Sequence, residues 1–325
     1  MSKKRILIIH TGGTIAMSQD QTSGAVVPTD EHPLNDVHTV LEQYAHIKVD
    51  HYLNLPSPHI TPQLMLELAQ KIKAELKSNG WDGVVVTHGT DTLEETAYML
   101  DLLHDGHQPV IVTGAMRSSN ELSADGHLNL VQSVRVAAHE EAKGKGVLVV
   151  FNDEIHTAKN VTKTHTSNIS TFQSPQYGPI GITTKHGIYF HHMPIRRDRY
   201  DVNKLSKKVI LLKAVAGMEA DWVEQIARSG VDGLVFEAFG QGNLPVTVLP
   251  AVEKLIQQGI PIVMVSRCFN GIVEGLYGYK GGGKQLKEMG VIFSNGLNVP
   301  KARLKLMVAL ELTTDREELQ EIFLR

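Results

Sequence analysis

Arg5-Ile6-Leu7-Ile8-Ile9-His10-Thr11-Gly12-Gly13-Thr14-Ile15 is the stretch that decides the architecture. Arg5–Ile9 is a short aliphatic run without polar alternation, which predicts a strand buried on both faces, and His10–Ile15 follows as a turn rich in hydroxyls and glycine. Working outward, Gly83–Thr87, Pro109–Thr113 and Gly146–Phe151 read as strands of the same kind, with amphipathic stretches between them. Thr61-Pro62 opens one helix, with Thr61 as its N-cap, Leu64, Leu68, Ile72 and Leu76 at four-residue steps, and Asn79-Gly80 as its stop. A second helix begins near Thr92, and a third is expected over Ala124–His139 with Leu128, Val131, Val134 and Ala138 on its apolar stripe. This βαβα order calls for a parallel sheet with helices on both faces, in which ligands bind outside the carboxyl ends of the strands.

The pattern breaks between Gly187 and Lys208 into a polar, charge-rich segment, His191-His192-Met193-Pro194-Ile195-Arg196-Arg197-Asp198-Arg199, without helical or strand period. Beyond it a smaller α/β unit is expected, with strands at Val209–Leu212, Gly233–Phe236 and Pro261–Val265, helices near Met218–Arg228 and Val246–Gln257, and a helical close from about Pro300 to Leu324. The fold class is therefore α/β: a larger N-terminal domain over 1–190, a linker over 191–208 and a smaller C-terminal domain over 209–325. A length of 325 residues suits two domains, on a prior of roughly 100–200 residues each.

Composition narrows the partners. Hydrophobic residues at 42% and charged residues at 21% are ordinary soluble usage, and no window approaches the run of about 20 apolar residues that a membrane helix needs. The formal charge of −3 supplies no polybasic footprint for nucleic acid or acidic lipid. A single cysteine, Cys268, rules out an intrachain disulfide framework, and the thiol is expected in a small half-buried pocket after the Pro261–Val265 strand. Ile6–Ile9 is too short an apolar stretch for a signal peptide, so a cytoplasmic location is expected.

Three strand ends carry chemistry. The turn after Ile9 exposes backbone amides beside Thr11 and Thr14. Thr87-His88-Gly89-Thr90-Asp91-Thr92 is a second hydroxyl-rich turn, this one with a carboxylate, and Thr113-Gly114-Ala115-Met116-Arg117 is a third. Thr-Gly-Gly-Thr in isolation is a plain turn, and Asp91 or Thr92 is a plain helix cap, with Glu94 and Glu95 favourable in the first turn. Those plain roles leave Thr90 unused. Three such turns on one sheet edge suggest a site for a small polar substrate handled by hydroxyl chemistry. A threonine hydroxyl needs a base, and Asp is too acidic to serve well near neutral pH. Lys163, in the uncharged and hydroxyl-rich Asn160-Val161-Thr162-Lys163-Thr164-His165-Thr166, is the candidate; taken alone it reads first as a solvated surface lysine, and the sequence does not bring it next to Asp91.

Other chemistries fit less well. The 16 histidines include no H-E-x-x-H, so no metal is expected. Gly278-Tyr279-Lys280-Gly281-Gly282-Gly283-Lys284 matches a phosphate loop as far as G-x-x-x-x-G-K, but Gln285 stands where Ser or Thr must meet Mg²⁺, so it reads as a flexible glycine loop. No G-x-G-x-x-G follows the first strand, which disfavours a dinucleotide cofactor.

Together these residues resemble the bacterial L-asparaginase family over nearly the whole chain. Thr11-Gly12-Gly13-Thr14-Ile15-Ala16 resembles its first signature and His88-Gly89-Thr90-Asp91-Thr92 its second. Val161-Thr162-Lys163-Thr164, Gly242-Asn243-Leu244 and Asn298-x-x-Lys301-Ala302-Arg303 extend the likeness. The resemblance implies Thr14 as acyl-accepting nucleophile and Thr90, Asp91 and Lys163 as a second, proton-handling group. It further implies Ser57 on the substrate's α-carboxylate, Asp91 on its α-amino group, the Ala115 carbonyl on its amide, and Asn243 reaching across from a neighbouring subunit of a dimer or tetramer.

Two departures stand out. Family members carry a tyrosine in the loop after the first signature, whereas Gly24-Ala25-Val26-Val27-Pro28 has none and the first tyrosine is Tyr44. In the secreted branch the partner subunit supplies a glutamate, whereas the approximate equivalent position here lies in the Gly281-Gly282-Gly283 loop, which together with the missing signal peptide favours the cytoplasmic branch. The expected activity is hydrolysis of L-asparagine to L-aspartate and ammonia without a cofactor. The rivals are a tRNA-linked amidotransferase-type asparaginase/glutaminase subunit and a catalytically inactive asparagine or aspartate sensor. The segment Ser18–Thr29, small and polar at its tip, is expected to act as a lid beside Thr14.

Overall fold

The computed structural model describes residues 3–20, 22–28 and 33–325, and its contacts divide into two units, Met1–Tyr200 and Asp201–Arg325. The first unit runs β1 (Lys4–His10), a ribbon of β2 (Met17–Gln19) and β3 (Val26–Pro28), α1 (His38–Leu41), β4 (Ala45–His51), α2 (Pro62–Asn79), β5 (Gly83–Thr87), α3 (Leu93–Leu103), β6 (Val110–Thr113) and α4 (Gly126–Ala137). It continues through β7 (Val147–Phe151), β8 (Glu154–Thr157), a ribbon of β9 (Thr162–Lys163) and β10 (Phe172–Gln173), then β11 (Gly181–Thr183) and β12 (Ile188–Phe190).

Eight of these strands form one sheet in the order β12-β11-β8-β7-β6-β5-β1-β4. From β4 to β7 the pairing is parallel. The absence of polar alternation in β1 and β5 has its cause here, because both faces of the sheet are covered. Leu7, Ile9, Val84 and Val86 pack on one side with Leu68 and Ile72 of α2 and Leu93, Ala97 and Leu100 of α3. Ile6, Ile8, Val85 and Ile111 face the other way, onto Leu130, Val134 and Ala137 of α4.

Local signals set the helix limits. Thr61 Oγ1 accepts from Leu64 N at 3.3 Å, and Gly80 closes α2 at φ 63°. α4 departs from its expected stripe: Leu128 is exposed, and the buried face is Leu130, Val134 and Ala137 together with the polar Asn129 and Ser133. A hydrophobic count cannot see that shift, since three buried positions, Asn129, Gln132 and Ser133, are polar groups with partners inside.

The sequence reading missed β4 and the antiparallel strands β8, β11 and β12. β4 carries a charged or half-buried residue at most positions, as a sheet edge permits. β7 and β8 form a hairpin whose turn holds Asn152 at φ 47° and Asp153 at φ 64°, the left-handed pair that such tight turns require. The Gly187–Lys208 stretch also differs from expectation. It begins with β12, and Arg197 Nη2 then donates to Asp101 Oδ1 at 2.8 Å while Tyr200 N donates to Leu102 O at 2.7 Å, so residues up to Tyr200 belong to the first unit.

The second unit runs β13 (Val209–Lys213), α5 (Asp221–Arg228), β14 (Gly233–Ala238), α6 (Leu249–Gln257), β15 (Ile262–Ser266), α7 (Gly283–Met289), β16 (Ile292–Phe293), α8 (Val299–Ala309) and α9 (Arg316–Leu324). Its four strands are parallel in the order β13-β14-β15-β16. The helical close is two helices, because Asp315 starts a new one by accepting from Glu317 N and Glu318 N at 2.9 Å. Cys268 corrects another expectation: it lies just beyond β15, where the chain leaves the sheet, and is exposed. Among the described residues no helix is long and apolar enough to cross a membrane.

Candidate active site

Register brings three turns to one edge of the large sheet. His10 pairs with Thr87, and Thr87 with Thr113, so β1, β5 and β6 end level and release their following turns side by side. Backbone bonds then stitch the turns together. Thr11 donates through both N and Oγ1 to Thr87 O at 3.1 and 2.8 Å, and its own carbonyl accepts from Leu55 N at 3.0 Å.

Glycine is required where the first two turns touch. Gly13 has φ +84°, and a Cβ on it would lie 2.2 Å from Gly89 Cα; a Cβ on Gly89 would lie 2.7 Å from Ser57 Cβ. Only hydrogens fit in those gaps, so the turns carrying Thr14, Thr90 and Ser57 approach to backbone contact. Thr14 opens a short 3-10 turn, Thr14–Ala16, in which Ile15 and Ala16 sink into the core and leave Thr14 half-buried.

Beyond β5, the buried Thr90 hydroxyl accepts from Lys163 Nζ at 3.0 Å, and the same ammonium donates to Asp91 Oδ1 at 2.7 Å. The Lys163 side chain is 17% exposed and that of Asp91 61%, so the ion pair has one sheltered end and one open to solvent. Asp91 N donates to Ser57 Oγ at 3.2 Å and Thr92 Oγ1 to Ser57 O at 2.8 Å. Asp91 and Thr92 are therefore not the side-chain caps that they resemble, and α3 begins without a side-chain cap bond.

The imidazole of His88, fully buried behind this turn, is held at a pKa of about 4 against an ordinary 6.5, since burial penalises its charged form while the bond to Gly89 O opposes the shift. Its ring is neutral near pH 7. Nδ1 lies 2.8 Å from a carbonyl, Gly89 O, which assigns the proton to that nitrogen and leaves Nε2 to accept from Thr96 Oγ1 at 2.9 Å.

Ala115 sits buried on the third turn, where a Cβ on the neighbouring Gly114 would lie 2.4 Å from His88 O. Two residues missed at the level of sequence brace this turn. Asp125 accepts from Met116 N and Arg117 N at 3.0 Å, while Asn129 Nδ2 donates to Gly114 O at 3.0 Å. Their only signal was polar side chains four apart at the start of a helix. The structure thus gathers Thr90, Asp91, Lys163 and Ser57 by direct bonds, with Thr14 and Ala115 on the turns packed against them. Asn243 belongs to the second unit, where its Oδ1 accepts from Gly283 N at 3.0 Å and Gln285 Oε1 accepts from Gly281 N at 2.9 Å, so the glycine loop expected to be flexible is a braced turn.

Near Thr14, β2 and β3 pair antiparallel, with Asp20 Oδ1 accepting from Ser23 N at 2.7 Å at the tip. Asn120 clasps the hairpin, donating to Gln19 O at 2.8 Å and accepting from Gln19 N at 2.7 Å. Val26 and Val27 are exposed; Gln21 and Thr29 of the expected lid lie outside the described residues. Tyr44, the first tyrosine, lies on the Arg135 guanidinium at 5.6 Å from the ring centre.

An α/β chain that gathers hydroxyl, ammonium and carboxylate groups at the carboxyl ends of a parallel sheet has the makings of an enzyme acting on a small polar molecule. The chain belongs to the asparaginase family. Residues 5–196 match the asparaginase N-terminal family model and residues 208–323 the glutaminase/asparaginase C-terminal domain. It is 38% identical to a probable L-asparaginase of Deinococcus radiodurans, covering 99% of this chain and 98% of that one. It is 35% identical to an L-asparaginase of Bacillus licheniformis, covering 94% and 95%. The crystal structure of a probable cytoplasmic L-asparaginase from Campylobacter jejuni superposes with a TM-score of 0.89 at 34% identity, covering 99% of this chain and all of that one.

Proposed function

We propose that this chain is an L-asparaginase, an amidohydrolase that converts L-asparagine and water to L-aspartate and ammonia through an ester on Thr14. The observation that carries the reading is the reach of Lys163 Nζ to both Thr90 Oγ1 and Asp91 Oδ1, on a turn in backbone contact with the one that bears Thr14. Family membership supports the reaction, and the likeness to L-asparaginases points to the substrate.

In this reading the Thr14 hydroxyl oxygen attacks the side-chain amide carbon. The proton passes by way of the Thr90 hydroxyl and the Lys163 side chain to the departing nitrogen, so that ammonia leaves and the aspartyl ester remains. Water then attacks the ester and returns the proton to Thr14 Oγ1. Asp91 binds the substrate's α-amino group while keeping Lys163 in place, Ser57 meets the α-carboxylate, and the Ala115 carbonyl receives the amide. Asn243 enters from a neighbouring subunit, which makes the working form a homo-oligomer, dimer or tetramer. A cytoplasmic location accords with the description of the Campylobacter jejuni relative.

Mass spectrometry of an acid-quenched reaction tests the covalent step. Wild type gains one aspartyl group on the peptide carrying Thr14, whereas Thr14→Ala gains none and releases no ammonia above background. Retention of more than about a tenth of kcat by Thr14→Ala, a barrier change of only about 1.4 kcal/mol, would remove Thr14 from the nucleophile's role.

A further inference from the structure

We infer that Glu94 is a positioning residue for Lys163, fixing where its ammonium stands relative to Thr90 and Asp91; this rests on the proposed proton-handling role of Lys163. β9 is only two residues long and pairs with β10 alone, Phe172 opposite Lys163 and Gln173 opposite Thr162. An isolated two-stranded ribbon is marginal in water, so its own ladder cannot hold a lysine to a defined distance. On one side the ribbon is anchored by apolar packing: Phe172 is buried against Phe151 with ring centres 4.8 Å apart, and Val161 is buried in the same core cluster.

The other anchor is Glu94. Its Oε1 accepts from Thr162 Oγ1 at 3.1 Å and from Lys163 N at 3.3 Å, with the residue 9% exposed. Glu94 stands in the first turn of α3, directly after the Thr90-Asp91-Thr92 turn that supplies both partners of Lys163 Nζ. One short stretch of chain therefore grips Lys163 at the backbone with Glu94 and at the tip with Thr90 and Asp91. A carboxylate accepting a hydroxyl and an amide in a sheltered setting is a strong, directional clasp. Any movement of α3 carries both grips with it, so the distances at the ammonium survive.

Positioning predicts a split between turnover and affinity, since the bonds from Thr162 and Lys163 to Glu94 act on the proton-handling group, while Ser57, Asp91 and the Ala115 carbonyl are the groups assigned to the substrate. Glu94→Ala should lower kcat by about a hundredfold, the usual cost of an ångström-scale misplacement, with KM for asparagine within about threefold of wild type. Glu94→Gln, which keeps the accepting oxygen, should recover kcat to within about tenfold of wild type, and Thr162→Val, which removes one of the two bonds, should fall between. On a Lys163→Met background Glu94→Ala should cost nothing more, because the group it positions is gone. If Glu94→Ala fails to fold, the Gln and Thr162→Val variants and the double mutant carrying Glu94→Gln are read in its place. The inference is overturned if folded Glu94→Ala keeps more than about a third of kcat, if Glu94→Gln is as poor as Glu94→Ala, or if the losses multiply in the double mutant. A fully active Lys163→Met overturns the reading of the site itself, whereas a dead Lys163→Met beside a normal Glu94→Ala overturns Glu94 alone.

Discussion

Acidification should destabilise this protein through His88 more than through an ordinary histidine. The ring is completely buried and its pKa is pushed down from 6.5 to about 4, so the unfolded chain binds this proton more readily than the folded one. A group depressed in this way costs the fold nothing above the unfolded pKa, and stability is lost as the pH falls from about 6.5 to about 4, where the loss levels off. The gap is about 2.5 pKa units, which at about 1.4 kcal/mol each comes to roughly 3–4 kcal/mol. That is a large share of the roughly 5–15 kcal/mol by which a domain is usually stable. Urea unfolding of wild type and His88→Gln at pH 8, 6.5, 5.5 and 4.5 measures it, since the variant retains every other titrating group, including His104, which burial also lowers. The wild-type curve should fall relative to the variant by about 2–3 kcal/mol across that range. Parallel curves, or an NMR titration placing the His88 midpoint at 6 or above, would refute the argument that burial governs this ring.

Gly13→Ala and Gly24→Ala separate backbone strain from steric contact. Both sites have positive φ, but nothing lies within 4 Å of a Cβ on Gly24, whereas one on Gly13 would strike Gly89. Thermal melts should show about 1–2 kcal/mol lost at Gly24 with activity kept, and a greater loss with kcat abolished at Gly13; equal effects at the two sites would sink the contact argument. For assembly, size-exclusion chromatography should return at least a dimer, and Asn243→Ala should lower turnover without changing the elution volume. A fully active 35.8 kDa monomer would overturn the shared site.

The sequence by itself determined the parallel heart of the first unit and the places where chemistry could sit. Strands covered on both faces need continuous apolar runs, and such runs are visible in Ile6–Ile9 and Val84–Val86 without any partner being known. The turns that follow stand next to them in the chain, so Thr14, Thr90 and Asp91 are legible as strand-end residues by position alone. Tertiary structure decided everything that joins distant segments. Lys163 is 73 residues from Thr90 and 72 from Asp91, and no local period records that β9 folds back over α3. Glu94 read as a helix-dipole residue because its other role is to hold a strand far along the chain. The buried face of α4 moved off Leu128 because Asn129 is spent bracing Gly114, a partner 15 residues away. The edge strands escaped notice because hydrogen bonding, not apolar composition, defines a strand with one open side. Periodicity reports which face of an element is buried; only the folded chain reports against what.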